Sequence, residues 1–256
     1  MLVVVVDLAL FWLGWGLSRH LLCRLASLAA AVLVVSSSWW CLVGVLELSA
    51  MTSNEERDRL EKLWDAAERG DQHQVALALA EGASIEWRNP SSRGDTPLNV
   101  SSRNGHESVV GLLLERGASI DAASNDNCTS LHLAAQNGHE SVVGLLLKRG
   151  ASIDAASNDN WTSLHFAAWN GHESVAGLLL ERGASIDAVK KDNATSLHLA
   201  ARNGHESVVR LLLERRASID AADNDKFTSL HLAAWNGHES VARLLLERGA
   251  SIDAVQ

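Results

Sequence analysis

A short block, Asn-Gly-His-Glu-Ser-Val, recurs in the chain at a constant interval of 33 residues. Self-similarity at a fixed period of about 20 to 50 residues is typical of repeat architectures, in which one small unit is stacked many times. The repeat limits the fold more strongly than composition does, since the charged fraction of 21% and the apolar fraction of 47% are ordinary for a soluble protein. The copies begin at Asn104, Asn137, Asn170, Asn203 and Asn236.

Each unit predicts two short helices joined by turns, and residues 157–189 illustrate the pattern. Asn and Asp at 158–160 indicate a turn, because both residue types tolerate left-handed backbone and bond their own main chain. Thr162 is placed to cap a first helix, and Glu173 begins a second helix with apolar residues at helical spacing. Gly183 follows as a left-handed terminator. The unit therefore reads as turn, helix, turn, helix and an extended return.

Stacking is required because a pair of short helices cannot bury its own apolar stripe. Neighbouring units bury it, so we predict an all-α solenoid of about six helix-turn-helix repeats. The first unit keeps Leu63 and Gly70 but lacks the turn segment, which is typical of an end cap. We place an apolar leader at 1–50, a charged linker at 51–58 and the repeat domain at 59–256, divided at about 59–89, 90–123, 124–156, 157–189, 190–222 and 223–256.

The third unit carries a motif that places the chain among known repeat families. Thr129-Ser130-Leu131-His132 is followed by Ala134-Ala135, Gly138-His139 and Gly150-Ala151, with valines and leucines at helical spacing before the last pair. This pattern resembles the ankyrin repeat. The resemblance implies an ankyrin-repeat solenoid that binds partner proteins through its concave face. It also implies that the first set of histidines, which includes His132, forms hydrogen bonds between neighbouring repeats.

Departures from the family pattern predict local weak points. Asn99, Ser101 and Ser102 stand where the pattern has a histidine and two alanines, so we expect the second repeat to pack less well. Arg216 replaces the glycine after the second helix of the fifth repeat. A non-glycine residue held at positive φ costs about 1 kcal/mol, so we expect a weak point there as well.

Charge and cysteine content argue against several classes of function. The net charge is −9, and the charges of residues 1–50 cancel, so the repeats are acidic. Phosphate neutralisation needs clustered Lys and Arg, so nucleic acid is not expected as a partner. Cys23 and Cys41 lie in the leader, and Cys128 stands alone in the repeats. This spacing matches neither a disulfide framework nor a zinc motif.

The histidines follow the repeat rather than a catalytic or metal-binding pattern. His132, His165, His198 and His231 recur every 33 residues, and a second set with the same interval begins at His106. Metal sites need several ligands that converge on one point. The glycines terminate helices instead of forming a phosphate loop, and no nucleophile and base pair differs from the repeat background. We therefore expect no catalysis, no cofactor and no metal.

Positions that vary between repeats are candidates for partner recognition, because the constant positions hold the fold. In the ankyrin family the residue before the capping Thr and the residue after the alanine pair lie on the turn tips and inner helices. We expect Trp161 with Trp169, and Phe227 with Trp235, to form two aromatic patches separated by Ala194 and Arg202. Trp and Arg are enriched at interface hot spots, although rings at these positions can also fill gaps between repeats. The predicted partner-binding residues are Arg103, Cys128, Gln136, Trp161, Trp169, Arg202, Phe227 and Trp235.

The leader is apolar enough to be a membrane segment. Residues 25–46 contain no charge and are long enough to span a bilayer, so they are a candidate transmembrane helix. Arg19 and Arg24 precede this run, and the positive-inside rule would then place the repeats outside the cytoplasm. The alternatives are a secretory signal, for which the start lacks positive charge, and translation from Met51, which would make the chain cytoplasmic.

These observations favour a non-catalytic protein–protein interaction scaffold or adaptor. The alternative is a membrane-anchored or truncated ankyrin segment that regulates a larger assembly, and an enzyme is the remote third. The alternative draws support from the C-terminus, since Gln256 ends the sixth repeat without a polar capping helix. For the same reason we expect Leu244, Leu245 and neighbouring apolar groups to be uncovered.

Overall fold

The computed structural model describes residues 54–254, and this part of the chain is helical. From the second repeat onward a short inner helix alternates with a longer outer helix. Within 54–254 the extended backbone pairs only as isolated β-bridges and forms no longer strand. The predicted all-α fold of repeated helix pairs is confirmed. In chain order the helices are α1, described over 54–69, α2 Gln72–Ala80, α3 Pro97–Arg103, α4 Glu107–Glu115, α5 Ser130–Gln136, α6 Glu140–Lys148, α7 Ser163–Asn170, α8 Glu173–Glu181, α9 Ser196–Arg202, α10 Glu206–Glu214, α11 Ser229–Trp235 and α12 Glu239–Glu247.

The inner helices begin at a threonine that caps them. At the start of α7, the Thr162 N–H donates to Nδ1 of His165 at 3.1 Å, and the Thr162 hydroxyl lies 2.9 Å from the same nitrogen. This capping box pairs backbone groups that a helix start otherwise leaves unpaired. The same arrangement begins α5, α9 and α11. Ala167 and Ala168 follow with no exposed surface, so neighbouring inner helices can pack closely.

The outer helices supply the larger apolar side chains of the core. In α8, Val175 and Leu179 are fully buried, and Glu173 lies in the first turn, where the helix dipole favours a negative charge. Gly183 follows this helix with a φ of 92°, as the sequence predicts. Equivalent positions recur from α4 to α12, so one continuous core runs through the stack.

Two histidines of the first set, His132 and His198, join their repeat to the next. The Thr129 N–H donates to His132 Nδ1 at 3.0 Å, so this nitrogen carries no proton. The protonated Nε2 therefore donates across the repeat boundary to the carbonyl oxygens of Ala155 and Trp161, at 2.8 and 3.1 Å. His198 makes the same kind of bond to the sixth repeat at 3.2 Å. The hydrogen bonding between repeats that the family resemblance implies is confirmed for these two histidines.

His165 is buried as fully as His132 and His198 but differs from them in its hydrogen bonding. Its Nε2 has no hydrogen-bond partner among the described residues, and burial lowers the pKa of His165 to about 4. Burial also lowers the pKa of His132 and of His198. All three imidazoles are therefore neutral at pH 7.

The second set of histidines joins each repeat to the one before it. His205 Nε2 lies 2.9 Å from the carbonyl oxygen of Trp169, and His139, His172 and His238 make equivalent contacts. Each of these rings also lies against the glycine of the preceding Asn-Gly turn. A Cβ added at Gly171 would stand 2.6 Å from Nδ1 of His205, and Gly171 itself has a φ of 75°. Both the backbone angle and the space require glycine at this position.

The second repeat uses different residues to make the same contacts. Asn99 is fully buried; its side-chain oxygen accepts from the Thr96 N–H at 3.0 Å, and its amide donates to the Ala122 carbonyl at 3.3 Å. Ser101 and Ser102 are also fully buried. The Ser101 hydroxyl donates within its own helix at 2.9 Å, whereas the Ser102 hydroxyl has no partner in the described structure. The core of this repeat is therefore filled, and the Ser102 hydroxyl and one Asp95 carboxylate oxygen are buried there without a partner in the described structure.

Arg216 adopts the left-handed backbone predicted for it. Its φ is 67°, whereas the equivalent Gly183 and Gly249 have φ values of 92° and 91°. The expected strain at the end of α10 is thus present in the backbone.

The last outer helix is better covered than the sequence suggested. Leu244 and Leu245 are 4% and 0% exposed, so the expectation that they are uncovered is wrong. The reason is that α12 turns this face back onto α10 and α11. The exposed apolar groups near this end are Leu246 and Ile252, at 45% and 70%.

The membrane hypothesis falls on residues that the structure does not describe. The candidate transmembrane helix at 25–46 and the rest of 1–53 lie outside the described residues. Residues 54–58, which we assigned to the linker, are helical and continue into the first repeat. Across 54–254 no helix combines the length and the apolar character needed to cross a bilayer.

Candidate partner-binding surface

The surface is built from the turn tips and the inner helices. Backbone hydrogen bonds hold successive tips in register, because the Asn125 N–H donates to the Arg93 carbonyl at 2.9 Å and the Asn158 N–H donates to the Asp126 carbonyl at 3.0 Å. The chain then passes directly from each tip into the capping threonine of an inner helix. Side chains just before the threonine and just after the alanine pair are therefore brought side by side in every repeat.

The fourth repeat forms an aromatic cluster at this surface. The Trp161 and Trp169 rings meet edge to face with their centroids 5.8 Å apart, as expected from their positions. Phe166 completes the cluster, with its centroid 5.0 Å from that of Trp161. All three side chains are half-buried. The sequence prediction missed Phe166, although it stands where the neighbouring repeats have leucine, so the same comparison of repeats could have found it.

Two cations from the fifth repeat lie over the cluster. The Lys190 ammonium is 5.5 Å from the centroid of the Trp161 ring, and the Arg202 guanidinium is 5.9 Å from that of Trp169. Arg202, which we expected to separate the two aromatic patches, thus contacts the first of them through Trp169. Ala194 is 5% exposed and contributes little to the surface.

The sixth repeat forms the second aromatic pair. The centroids of Phe227 and Trp235 are 6.1 Å apart, and His231 packs against the same phenylalanine at 6.2 Å. Trp235 is 80% exposed, which makes it the most exposed large apolar side chain of the residues described. The pairing of these rings follows the prediction, whereas their function remains a prediction.

A cleft of about 850 Å³ lies beside the first cluster, across the second to fourth repeats. Four predicted residues line it: Arg103, Cys128, Gln136 and Trp161. Asp95 forms its buried floor, is 1% exposed, and is paired with the Arg103 guanidinium. Sequence reasoning placed Asp95 in a variable column but did not anticipate this ion pair.

The predicted residues therefore fall into three groups. The cleft is lined by Arg103, Cys128, Gln136 and Trp161. Trp161 also belongs to the second group, with Trp169 and Arg202, and the third group is Phe227 with Trp235 in the sixth repeat. Within 54–254 no group of three or more His, Cys, Asp or Glu side chains is arranged to hold a metal ion. Burial raises the pKa of the Cys128 thiol, and the Asp126 carboxylate raises it further, so this thiol is not activated as a nucleophile.

Comparison with known proteins gives the same assignment as the geometry. A family model described as ankyrin repeats in three copies matches residues 63–157 and 164–256. A segment of 78 residues is 37% identical to the human ankyrin repeat domain-containing protein 39, over 30% of this chain and 42% of that protein. A segment of 58 residues is 38% identical to the ankyrin repeat and KH domain-containing protein mask-1 of Caenorhabditis elegans, over 22% of this chain and 2% of that protein.

The matched segments thus span less than half of either relative. The family model, in contrast, covers most of this chain, although its two matched ranges leave out residues 158–163 and with them Trp161. Ankyrin repeats generally mediate protein–protein interactions and generally have no enzymatic activity. The chain belongs to the ankyrin repeat family.

Proposed function

We propose that this protein is a non-catalytic interaction scaffold or adaptor that binds a partner protein through the concave face of its repeats. The observation that carries the proposal is the pair of aromatic groups on one surface, Trp161 with Trp169 and Phe227 with Trp235. Large rings left accessible to solvent in a water-soluble repeat stack are favourable when a partner covers them, because burying apolar surface is the main driving force of association.

The residue types support this proposal. Trp and Arg are enriched among interface hot spots, where truncation to alanine costs about 2 kcal/mol or more of binding free energy. Trp169 lies under the Arg202 guanidinium, so the surface presents an indole and a cation together. The residues proposed to contact the partner are Arg103, Cys128, Gln136, Trp161, Trp169, Arg202, Phe227 and Trp235.

Affinity capture with matched variants tests the proposal. The full chain would carry Trp161→Ala with Trp169→Ala, or Phe227→Ala with Trp235→Ala, and bound proteins would be quantified by mass spectrometry. Leu77→Ala is the control, because Leu77 is 43% exposed on α2 and lies far along the sequence from both aromatic groups. We expect proteins that are captured by the wild type and by the control to be lost with the aromatic variants while both variants remain folded.

A result in which both aromatic variants stay folded and capture the same proteins as the wild type would overturn the proposal. Loss of capture together with loss of the fold in both variants would mean that the rings fill gaps between repeats, which is the structural alternative.

A membrane-tethered form of the same scaffold is the second proposal, and the charge-free run at 25–46 is the feature that favours it. Mass spectrometry of the native N-terminus, combined with carbonate extraction of membranes, separates the two proposals. A mature protein that begins at Met51 and is extracted by carbonate would contradict tethering, and a retained leader that resists extraction would support it.

A further inference from the structure

The cleft across the second to fourth repeats contains an acceptor that the described residues do not satisfy. Asp95 is 1% exposed, and its Oδ2 accepts from the Arg103 guanidinium and from the Ser92 hydroxyl, the latter at 3.2 Å. Its Oδ1 is buried and has no donor in the part of the chain that the structure describes. A buried carboxylate oxygen without a donor is costly, so a further donor at this position is favourable.

Two other carboxylates line the same cleft, and each forms a weak ion pair with a basic side chain of the protein itself. Asp126 lies 3.3 Å from Arg93, and Asp159 lies 3.0 Å from Lys191. The side chains of Arg93 and Lys191 are 81% and 63% exposed, and ion pairs that are this accessible contribute little free energy. A cation that arrives from outside can therefore take over these carboxylates at small cost.

The Cys128 thiol lies in the same cleft and responds to its electrostatic potential. Burial raises the pKa of this thiol, and the Asp126 and Asp95 carboxylates raise it further. Arg103 and Arg93 act in the opposite direction but have the smaller influence. At the Cys128 thiol the two carboxylates therefore outweigh the two guanidinium groups, which disfavours an anionic group at this position.

The aromatic wall of the cleft can bind a cation. Trp161 and Phe166 both line it, and aromatic rings attract ammonium and guanidinium groups through their quadrupoles. The chain itself places the Lys190 ammonium 5.5 Å from the centroid of the Trp161 ring. A second cation on the cleft side would meet carboxylates on the floor and rings on the wall.

We propose that this cleft receives a basic side chain, Arg or Lys, presented by an extended segment of the partner protein. The proposal rests on the scaffold function above and adds the chemistry that the partner must present. A volume of about 850 Å³ accommodates a basic side chain with its flanking backbone. Asp95 fixes the position of the cation, and Asp126 and Asp159 attract it.

Selection from a library of short random peptides displayed on phage tests this inference with the full chain as bait. We expect the enriched peptides to share Arg or Lys at one position. Replacing that residue with alanine in a synthetic consensus peptide is expected to weaken binding at least tenfold, since truncating one partner of a buried charge pair usually costs more than the 1.4 kcal/mol that a tenfold change represents.

Substitutions in the cleft test which carboxylates select the basic residue of the peptide. Asp95→Asn is expected to weaken binding of the consensus peptide at least tenfold. Asp126→Asn with Asp159→Asn changes only exposed side chains, so the fold is retained, and we expect binding to weaken about two- to fivefold. Asp225→Asn is the matched control, because Asp225 occupies the same repeat position in the sixth repeat and does not line the cleft. The control is expected to bind the peptide as the wild type does.

The outcomes separate this inference from the proposed function. Enriched peptides that lack a common basic position, or that are acidic, would overturn the inference and leave the scaffold function supported. A basic consensus whose affinity is unchanged in both cleft variants would also overturn it. If Asp95→Asn does not fold, the exposed double variant decides the result. Failure to enrich any peptide would count against the inference and the proposed function together.

Discussion

The fourth and sixth repeats carry the same aromatic arrangement in different surroundings. In both, an aromatic side chain precedes the capping threonine and a tryptophan follows the alanine pair. The ring centroids are 5.8 Å apart for Trp161 and Trp169, and 6.1 Å apart for Phe227 and Trp235. The pairing itself is therefore a property of the single repeat.

The neighbouring repeat makes the difference. Lys190 and Arg202 of the fifth repeat lie over the two tryptophan rings of the fourth, and Trp169 is half-buried. In the sixth repeat Trp235 is 80% exposed, and among the described residues no cation lies over its ring. A side chain at the same position is thus covered by the following repeat in one case and left in solvent in the other. Three predictions test this comparison, beginning with the largest expected effect.

Gly171→Ala and Gly237→Ala isolate what the following repeat contributes. Both glycines have a φ of 75°, so the backbone strain of the substitution, about 1 kcal/mol, is shared. At Gly171 the new Cβ would stand 2.6 Å from the His205 ring, whereas at Gly237 nothing lies within 4 Å. We expect Gly171→Ala to lower the free energy of unfolding by about 2 to 3 kcal/mol more than Gly237→Ala does, because the ring must move and its bond to the Trp169 carbonyl is lost.

Urea unfolding monitored by circular dichroism would measure the difference. Equal losses in the two variants would show that backbone strain alone requires glycine here, and that the histidine contact adds nothing.

His165→Asn tests burial by the following repeat through its pH dependence. Burial lowers the pKa of His165 from 6.5 to about 4, so between these values the unfolded chain binds a proton that the folded chain does not. Stability therefore falls as the pH is lowered through this window, by at most about 1.4 kcal/mol per pH unit for this one group, and the loss ends below the folded pKa. Asparagine does not titrate, and Asn99 already fills the equivalent position of the second repeat.

We expect the variant to show a shallower loss of stability across the same window, measured as urea midpoints at a series of pH values. His132 and His198 contribute in the same direction and remain in both proteins, so only part of the dependence disappears. An unchanged slope would contradict the buried, neutral state of His165.

Trp169→Ala and Trp235→Ala compare the two aromatic groups directly. Trp169 contacts Trp161 and the Arg202 guanidinium, so its removal is expected to cost about 1 kcal/mol of stability. Trp235 has most of its surface in water, and its removal is expected to cost no more than about 0.5 kcal/mol. Thermal unfolding of the two single variants measures this difference, and an equal or larger loss for Trp235→Ala would remove the distinction between the repeats.

Side-chain contacts at the surface were easier to predict from the sequence within one repeat than between two repeats. Trp161 and Trp169 lie in one unit, at two positions that the family resemblance places on the turn tip and the inner helix, and their contact was predicted from that resemblance. The position of Arg202 was not, because it depends on how the fifth repeat packs against the fourth. The ion pair of Asp95 with Arg103 joins the same two positions of the second repeat and is an exception, since it was not predicted although it lies within one unit.

The repeated motif, with its resemblance to the ankyrin pattern, determined the helix pairs, their caps and the family, because every unit must bury its apolar stripe against the next. It also fixed Arg216 in the left-handed region, since that position closes an outer helix in each repeat. The tertiary structure decided how far each side chain is exposed. It covered Leu244 and Leu245, left Trp235 in solvent, and buried the Asp95 carboxylate with one oxygen unpaired. Exposure depends on the packing of neighbouring repeats, and residues of separate repeats meet only once the stack has formed.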